Sequence, residues 1–349
     1  MCVFIVTLDI FMLPYQSINY ELEQILCEKG DDWQLLWFSD HVRWNNGNLI
    51  RRSSDVGQKY FYNTQLQEWR VRKNKLPLLQ GCLNHSFEPL QFELDKQLWE
   101  ENHHCIDVVL HSQAGGAELE HLRHMGIKPV HWFAHAYLCS EYYFKHYAKL
   151  DIVRNWQARP ILSPWLFANR LNRQHRTEFL ESVDLVGEYS LLRVDPQGVE
   201  YTGPVEPRSF DDHSNSSAEL SVTDLTPWNT SFLHVVGETV WQDTVHFTEK
   251  IFKPIVFHQP FVVLQAPYSL EYLRSYGFKT FDNWWDESYD TIEDPTERMA
   301  AVADIVNWIP SQNLEKLRME MAGVLEHNYR HFYENIPAIC LQELRTLLS

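Results

Sequence analysis

The sequence TEKIFKP at Thr248–Pro254, with the apolar run PFVVL at Pro260–Leu264 close behind it, decides the fold of the second half of this chain. A threonine followed by a carboxylate and an ammonium predicts the start of a helix, and the apolar run predicts a buried strand. A helix N-terminus has unpaired N–H groups and a partial positive charge, so it favours an anion. Lys250 adds a charge suited to phosphate. Taken alone, the pattern favours an ordinary surface helix start.

Outward from this stretch, strands and helices alternate, which predicts an α/β protein with parallel sheets. The predicted strands are Val3–Ile10, Ile106–His111, Pro129–Phe133, Trp165–Ala168, Leu233–Val236 and Phe261–Leu264, with a hairpin at Gln58–Arg72. The predicted helices are Ala117–Met125, Leu138–Leu150, His175–Val183, Leu270–Tyr276, Pro295–Ile309 and Asn313–Tyr333, with a long loop at residues 205–230.

The length of 349 residues favours two domains over one. We expect two Rossmann-like domains, residues 1–155 and 156–335, facing each other across a cleft, with residues 336–349 packing back on the first. Hydrophobic residues make up 44% of the chain, enough for well-formed cores. The formal net charge of −17 excludes recruitment to DNA or anionic membranes by bulk charge.

Compartment is inferred from the cysteines and from the apolar segments. The six cysteines are scattered without a CxxC pair, which argues against a disulfide scaffold or a thiolate zinc site. The N-terminus lacks the basic region of a signal peptide, and no stretch approaches the ~20 apolar residues of a membrane helix. We therefore expect a cytoplasmic protein, in the host cytoplasm if it is viral, with no membrane span.

The second half of the chain contains an ordered series of short motifs. They are Asn169–Arg176, Gly237–Thr239, Thr248–Lys250, Pro260-Phe261, Gly277–Phe281, Asp286–Asp290, Arg298, and His327–Tyr329 with Phe332. This series resembles the donor-binding half of GT-B glycosyltransferases. The likeness is to phage and bacterial proteins related to fucosyltransferase-like and exostosin-like enzymes, and it covers roughly residues 160–335.

This resemblance implies a nucleotide-sugar donor bound by the second domain. A leaving nucleoside diphosphate carries negative charge that Lys250 and Arg176 would neutralise. The resemblance gives Glu249 a role in accepting hydrogen bonds from ribose or sugar hydroxyls. The remaining donor-binding candidates are Asn172, Arg173, Glu238 and Thr248. Glu238 either joins Glu249 in that role or orients Lys250.

Departures from family patterns refine the expected mechanism. No Asp-x-Asp motif is present, which favours transfer without a metal ion or other cofactor. No pair of glutamates eight positions apart frames the donor motif, which favours inversion. Inversion needs a general base for the acceptor hydroxyl. Asp9, Asp107 and His135 are the candidates, with Glu118 a further carboxylate near a predicted strand end.

Several alternatives stay open. Arg70, Arg72 and Lys73 form a basic cluster for which a solvated strand edge is the simpler interpretation, the functional alternative being contact with a phosphate-bearing acceptor such as DNA. A glycan or small hydroxyl acceptor suits the acidic composition better. The fold could also serve a non-catalytic nucleotide-sugar-binding or structural protein. His121, His124, His131 and His135 would suit a zinc hydrolase only if they converge.

Overall fold

The computed structural model describes residues 33–38, 42–45, 48–51, 76–81, 108–111, 120, 123–124, 126, 128–195, 198–209, 224–242 and 244–347. The chain divides into two compact units. The first comprises Met1–His111 and His121–Val130, and the second comprises Ser112–Glu120 and His131–Ser349. Within the described residues, no helix is long and apolar enough to cross a membrane.

A four-stranded sheet is the main described feature of the first unit. Its strands are β1 (Trp33–Phe38), β4 (Leu76–Gly81), β5 (Val108–His111) and β6 (Lys128–His131), in the order β1-β4-β5-β6. β1 pairs with β4, and β4 with β5, in parallel. The strands predicted near residues 106–111 and 129–133 are confirmed, while Val3–Ile10 and the hairpin at Gln58–Arg72 lie outside the described residues.

A hairpin formed by β2 (Val42–Asn45) and β3 (Asn48–Arg51) was missed by the sequence analysis. The two strands pair antiparallel, and Asn45 faces Asn48 at the end of the ladder. Asn46-Gly47 separates the strands, and this dipeptide is among the strongest short-range hairpin signals because both residues tolerate positive φ. The signal was therefore in the sequence.

A second four-stranded sheet, β10-β9-β7-β8, organises the second unit. Its strands are β7 (Ser163–Phe167), β8 (Glu188–Tyr189), β9 (Ser231–Gly237) and β10 (Phe261–Leu264). All three pairings are parallel. Every residue of β9 and β10 is buried, as expected for parallel strands covered on both faces. The predicted α/β class and parallel sheets are confirmed. The cleft between two domains and the boundary at residue 155 stay predictions.

Ten α-helices lie in the described part of the second unit. They are α1 (Ala134–Tyr147), α2 (Asp151–Arg154), α3 (Gln174–Ser182), α4 (Thr226–Thr230), α5 (Glu249–Val256), α6 (Ser269–Ser275), α7 (Pro295–Trp308), α8 (Leu314–Glu320), α9 (Ala322–Glu334) and α10 (Ile336–Leu347). Helix α1 packs against α5, α9 and α10, and α7 packs against α3 and β10.

Three predictions of secondary structure were wrong in detail. The helix expected from Leu138 begins at Ala134, directly after β6 and two connecting residues. The single helix expected over Asn313–Tyr333 is broken at the fully buried Met321, where Ala322-Gly323 opens a new helix. The loop expected at 205–230 ends in the short helix α4, whose Pro227 lies in the first turn, where a missing N–H costs nothing.

Candidate functional site

The predicted donor residues meet at the carboxyl ends of β7 and β9. Glu238 directly follows the last residue of β9, and the chain then returns to Thr248, the N-cap of α5. Arg176 lies in the first turn of α3, which follows β7. Its Nη2 donates to the carbonyl oxygens of Gly237 at 2.8 Å and Glu238 at 3.2 Å. The carboxyl edge of a parallel sheet is where α/β proteins bind ligands.

Glu238 is a buried carboxylate that holds the N-cap of α5. Its side chain has no exposed surface, and Oε1 accepts from the backbone N–H of Thr248 at 3.1 Å. Oε2 accepts from Thr248 Oγ1 at 2.6 Å. Burial raises the pKa of this carboxyl, while Lys250 counteracts that rise. Glu238 therefore orders the first turn of α5 from a buried position.

Lys250 and Glu249 form an ion pair at the start of α5. Lys250 Nζ lies 2.9 Å from Glu249 Oε1, 2.9 Å from Thr248 Oγ1 and 3.9 Å from Glu238 Oε2. Burial raises the pKa of Glu249, but Lys250 and Lys253 outweigh it and bring that pKa to about 2. The side chain of Lys250 is 23% exposed, whereas that of Glu238 is fully buried.

Like charges converge on the α3 side of the site. Burial, followed by the nearby charge of Arg173, lowers the pKa of Arg176 to about 9. Within the described residues, Arg176 Nε has no hydrogen-bond acceptor although it is buried. Burial and the charge of Arg176 are the main causes that lower the pKa of His175 to about 3. The charges of Arg173 and Lys250 make smaller contributions in the same direction. The edge is therefore locally cationic in an acidic protein.

Asn169 is a buried amide at the same edge of the sheet. It follows β7 by two residues and is 8% exposed. Its backbone N–H and carbonyl both bond to the hydroxyl of Ser190, at 2.6 Å and 2.5 Å. Neither Oδ1 nor Nδ2 of the side chain has a hydrogen-bond partner among the residues that the structure describes. A buried amide without partners is costly, and a bound polar ligand would remove that cost.

His175 and Trp241 form one wall beside Glu238. Their rings stack 5.7 Å apart at an angle of 6°. His175 Nε2 lies 3.0 Å from the carbonyl oxygen of Glu238, so the neutral ring carries its proton on Nε2 and donates it. Arg298 also contacts Trp241, with its guanidinium carbon 4.5 Å from the ring centroid. The sequence analysis placed His175 and Arg298 in motifs without giving either a role, and no local pattern linked them to Trp241.

Asn172 serves a different purpose from its neighbours. Its Nδ2 donates to the carbonyls of Leu192 at 2.7 Å and Val199 at 3.2 Å, and its N–H donates to Asp195 Oδ2. These bonds tie the loop after β7 to Leu192, Asp195 and Val199. In the observed geometry the amide of Asn172 anchors the loop that carries Arg173.

Of the candidate bases, His135 comes close to the donor residues. It is 4% exposed, its ring centroid lies 5.6 Å from that of His246, and its charge would help to lower the pKa of Glu249. Asp9 and Asp107 lie outside the described residues, as does Glu118. The acceptor candidates Arg70, Arg72 and Lys73 also lie outside them.

Other motifs of the resemblance are structural. Asp290 accepts from the N–H groups of Leu270 and Glu271 at 2.8 Å and 3.0 Å and so caps α6. Asn328 clamps Lys279 through its backbone N–H and carbonyl, both at 2.8 Å. These residues fix the turn after α6 and the position of α9.

Comparisons with known proteins add little. The chain matches no known family profile. It also matches no curated protein. Among solved structures it is similar to the crystal structure of the DNA-modifying enzyme β-glucosyltransferase, determined with and without its substrate uridine diphosphoglucose. The identity is 10% over 98% of this chain and 96% of that chain, with a TM-score of 0.43. That score is too low to establish a common fold, so the function must be argued from this chain's own residues.

The arrangement suits one kind of chemistry, the binding of a phosphate-bearing ligand. Its donors are the Lys250 ammonium, the guanidinium groups of Arg173 and Arg176, and the Asn169 amide. Two carboxylates hold part of this arrangement in place before a ligand arrives: Glu238 holds the N-cap Thr248, and Glu249 pairs with Lys250. Among the described residues, no three His, Cys, Asp or Glu side chains are placed to hold a metal ion.

Proposed function

We propose that the chain is a glycosyltransferase that moves a sugar from a nucleotide donor to an acceptor hydroxyl. The observation that carries this proposal is the meeting of Arg173, Arg176 and Lys250 at one sheet edge with the Asn169 amide, which has no hydrogen-bond partner among the described residues. Breaking the bond between sugar and diphosphate leaves negative charge on the diphosphate. Fixed cations in a partly buried site stabilise that charge without reorganisation.

In this proposal Lys250 exchanges partners during the reaction. In the free protein its ammonium group bonds to Glu249 and Thr248. A diphosphate oxygen would take the place of Glu249, whose carboxylate would then accept hydrogen bonds from sugar or ribose hydroxyls. The protein cations supply the charge that a divalent metal supplies in other transferases, so the proposed transfer is independent of metal. Inversion remains part of the proposal on the sequence pattern alone.

A thermal-shift screen tests donor binding. The panel comprises UDP, GDP and dTDP, together with UDP-glucose, UDP-N-acetylglucosamine, GDP-mannose, GDP-fucose and dTDP-rhamnose. A ligand that binds the folded state raises the transition temperature as it saturates the protein. We expect at least one diphosphate series to raise it, with and without EDTA. No shift from any member would contradict the proposal, and a shift abolished by EDTA would contradict metal independence.

Turnover separates a transferase from a binding protein. Release of nucleoside diphosphate is measured with water, oligosaccharides and duplex DNA as acceptors. A transferase releases diphosphate faster when a suitable acceptor is present. Binding without release under all these conditions would instead identify a nucleotide-sugar-binding protein.

A further inference from the structure

The side chain of Asn169 is the buried polar group that the fold of the second unit leaves unused. Asn169 is 8% exposed, and neither Oδ1 nor Nδ2 has a hydrogen-bond partner among the described residues. Its backbone is fully engaged, because the hydroxyl of Ser190 accepts from its N–H at 2.6 Å and donates to its carbonyl oxygen at 2.5 Å. The backbone of Asn169 is therefore fixed, while its carboxamide still offers an acceptor and a donor.

The loop that carries Asn169 is fastened on both sides to the carboxyl edge of the second sheet. Ser190 directly follows β8, so the backbone of Asn169 is bonded to the end of that strand. Arg176 Nη1 donates to the carbonyl oxygen of Leu171, two residues after Asn169, at 3.4 Å. Its Nη2 donates to the last residue of β9 at 2.8 Å. In the strand order β10-β9-β7-β8, the loop after β7 is thus tied to both neighbouring strands.

The chemistry of a carboxamide decides which part of a nucleotide donor it suits. An ionised diphosphate oxygen only accepts hydrogen bonds, so it would pair with Nδ2 of Asn169 and leave Oδ1 buried, unpaired and close to an anion. The cations Arg176 and Lys250 are the better partners for such oxygens. A neutral group that donates and accepts side by side would satisfy both atoms. In a nucleotide sugar, the hydroxyl groups and the N–H and C=O edge of the base have this property.

We propose that the carboxamide of Asn169 recognises a neutral donor–acceptor group of the nucleotide donor and so determines which donor the site selects; this rests on the proposed function. Oδ1 accepts from an N–H or O–H group of the ligand, and Nδ2 donates to a carbonyl or hydroxyl oxygen beside it. Selection follows because a ligand that lacks this group leaves both buried atoms unpaired. The ligand-free protein bears the same cost until a donor binds.

Asn169→Leu keeps the approximate shape of the side chain and removes both polar atoms. Its affinity is measured by calorimetry for the nucleoside diphosphate that gives the largest thermal shift and for a nucleotide sugar of the same base, with inorganic pyrophosphate as a competitor. We expect the affinity for the nucleotide sugar to fall by about tenfold or more, and the affinity for pyrophosphate to stay at the wild-type value. An equal loss for the nucleoside diphosphate identifies the base or ribose as the contact, and wild-type affinity for it identifies the sugar.

Two results would overturn the role of Asn169 alone. One is a loss for pyrophosphate as large as the loss for the nucleotide sugar, which would assign the amide to the phosphates. The other is wild-type affinity for every ligand. If the wild type bound neither nucleoside diphosphate nor pyrophosphate, the cationic diphosphate site and with it the proposed function would be overturned instead.

Thermal unfolding without ligand gives a second readout, which an asparagine with a purely structural role would move the other way. Asn169→Leu should leave the transition temperature unchanged or raise it, because it removes polar atoms that have no partner among the described residues. Asn172→Leu is the contrasting variant and should lower it, because Asn172 donates to the carbonyl oxygens of Leu192 and Val199. Destabilisation by Asn169→Leu as large as that by Asn172→Leu would show an amide bonded within the protein and would overturn the proposal.

Discussion

Thr248 Oγ1 donates a 2.6 Å hydrogen bond to Oε2 of Glu238, while the same oxygen accepts from Lys250 Nζ at 2.9 Å. The hydroxyl of Thr248 thus connects the end of β9 with the beginning of α5. It also contacts the ammonium group of Lys250, which we assign to binding of the donor. Because Glu238 is fully buried, the bond also satisfies a carboxylate that would otherwise be costly. The position of Lys250 therefore depends on Glu238, twelve positions upstream.

Thr248→Ala should destabilise the protein by about 1–3 kcal/mol, because it removes the N-cap of α5 and leaves a buried carboxylate oxygen unpaired. Thr248→Ser keeps the hydroxyl and serves as the control. Urea unfolding followed by circular dichroism measures both free energies of unfolding. Equal stabilities for the two variants would show that the hydroxyl does not hold this turn.

Gly277→Ala should destabilise the turn after α6. Gly277 has a φ of +92°, and a Cβ there would lie 2.8 Å from the ring of His331. Strain of this kind costs about 1–3 kcal/mol. Gly323→Ala is the contrasting variant, since a Cβ at that helical position meets nothing within 4 Å. Replacing a helical glycine should add about 0.5–1 kcal/mol of stability.

The two glycine variants can be compared by thermal unfolding under one condition. We expect Gly277→Ala to unfold below the wild type and Gly323→Ala above it. The double variant Gly277→Ala/His331→Ala should recover part of the loss, because the ring that the new methyl group meets is gone. Equal transitions for all variants would contradict the observed turn.

Acid should destabilise the fold through its buried histidines. Burial lowers the pKa of His175, His234 and His258 to about 3 each. Below an ordinary pKa of about 6.5 the unfolded chain binds protons that the folded chain does not, so stability falls as the pH drops from about 6.5 to about 3. Over this range each histidine lowers the free energy of unfolding by up to about 1.4 kcal/mol for each pH unit of acidification.

His258→Asn tests this linkage directly. His258 has a φ of +49°, a conformation that asparagine tolerates, and it stacks between Trp156 and Tyr329. The substitution will lower stability at every pH, so the slope is the informative quantity. The free energy of unfolding is measured by urea titration between pH 4 and pH 6. Its slope against pH should be smaller than in the wild type by about the contribution of one proton. An unchanged slope would mean that His258 is protonated in the folded state.

The sequence revealed the local elements of the second unit better than their contacts. The run from Phe261 to Leu264 was predicted residue for residue, and Thr248 was recognised as the cap of α5, because both signals are local. The role of Glu238 could not be read in the same way, since it depends on β9 ending beside a helix that begins twelve residues later. The hairpin around Asn46-Gly47 had a local signal that was overlooked.

Long-range convergence explains the remaining gaps. Arg176 and Lys250 were paired through the resemblance alone, and no local pattern predicted that Arg176 would bond to the backbone of Gly237 and Glu238. Likewise, nothing adjacent to Asn169 in the sequence marks its side chain as buried, or as lacking a hydrogen-bond partner among the residues that the structure describes. Such features follow from the strand order β10-β9-β7-β8, which periodicity does not specify.

The most direct test of the central claim is calorimetric titration of the nucleoside diphosphate that gives the largest thermal shift into wild type, Lys250→Ala and Lys316→Ala. Lys316 is an equivalent charge on the exposed face of α8, with 72% of its side chain accessible. We expect Lys250→Ala to bind at least about tenfold more weakly, a loss of about 1.4 kcal/mol for a charge-assisted contact, and Lys316→Ala to bind as the wild type does. Wild-type affinity in Lys250→Ala would contradict the assignment of the donor diphosphate to this edge of the sheet.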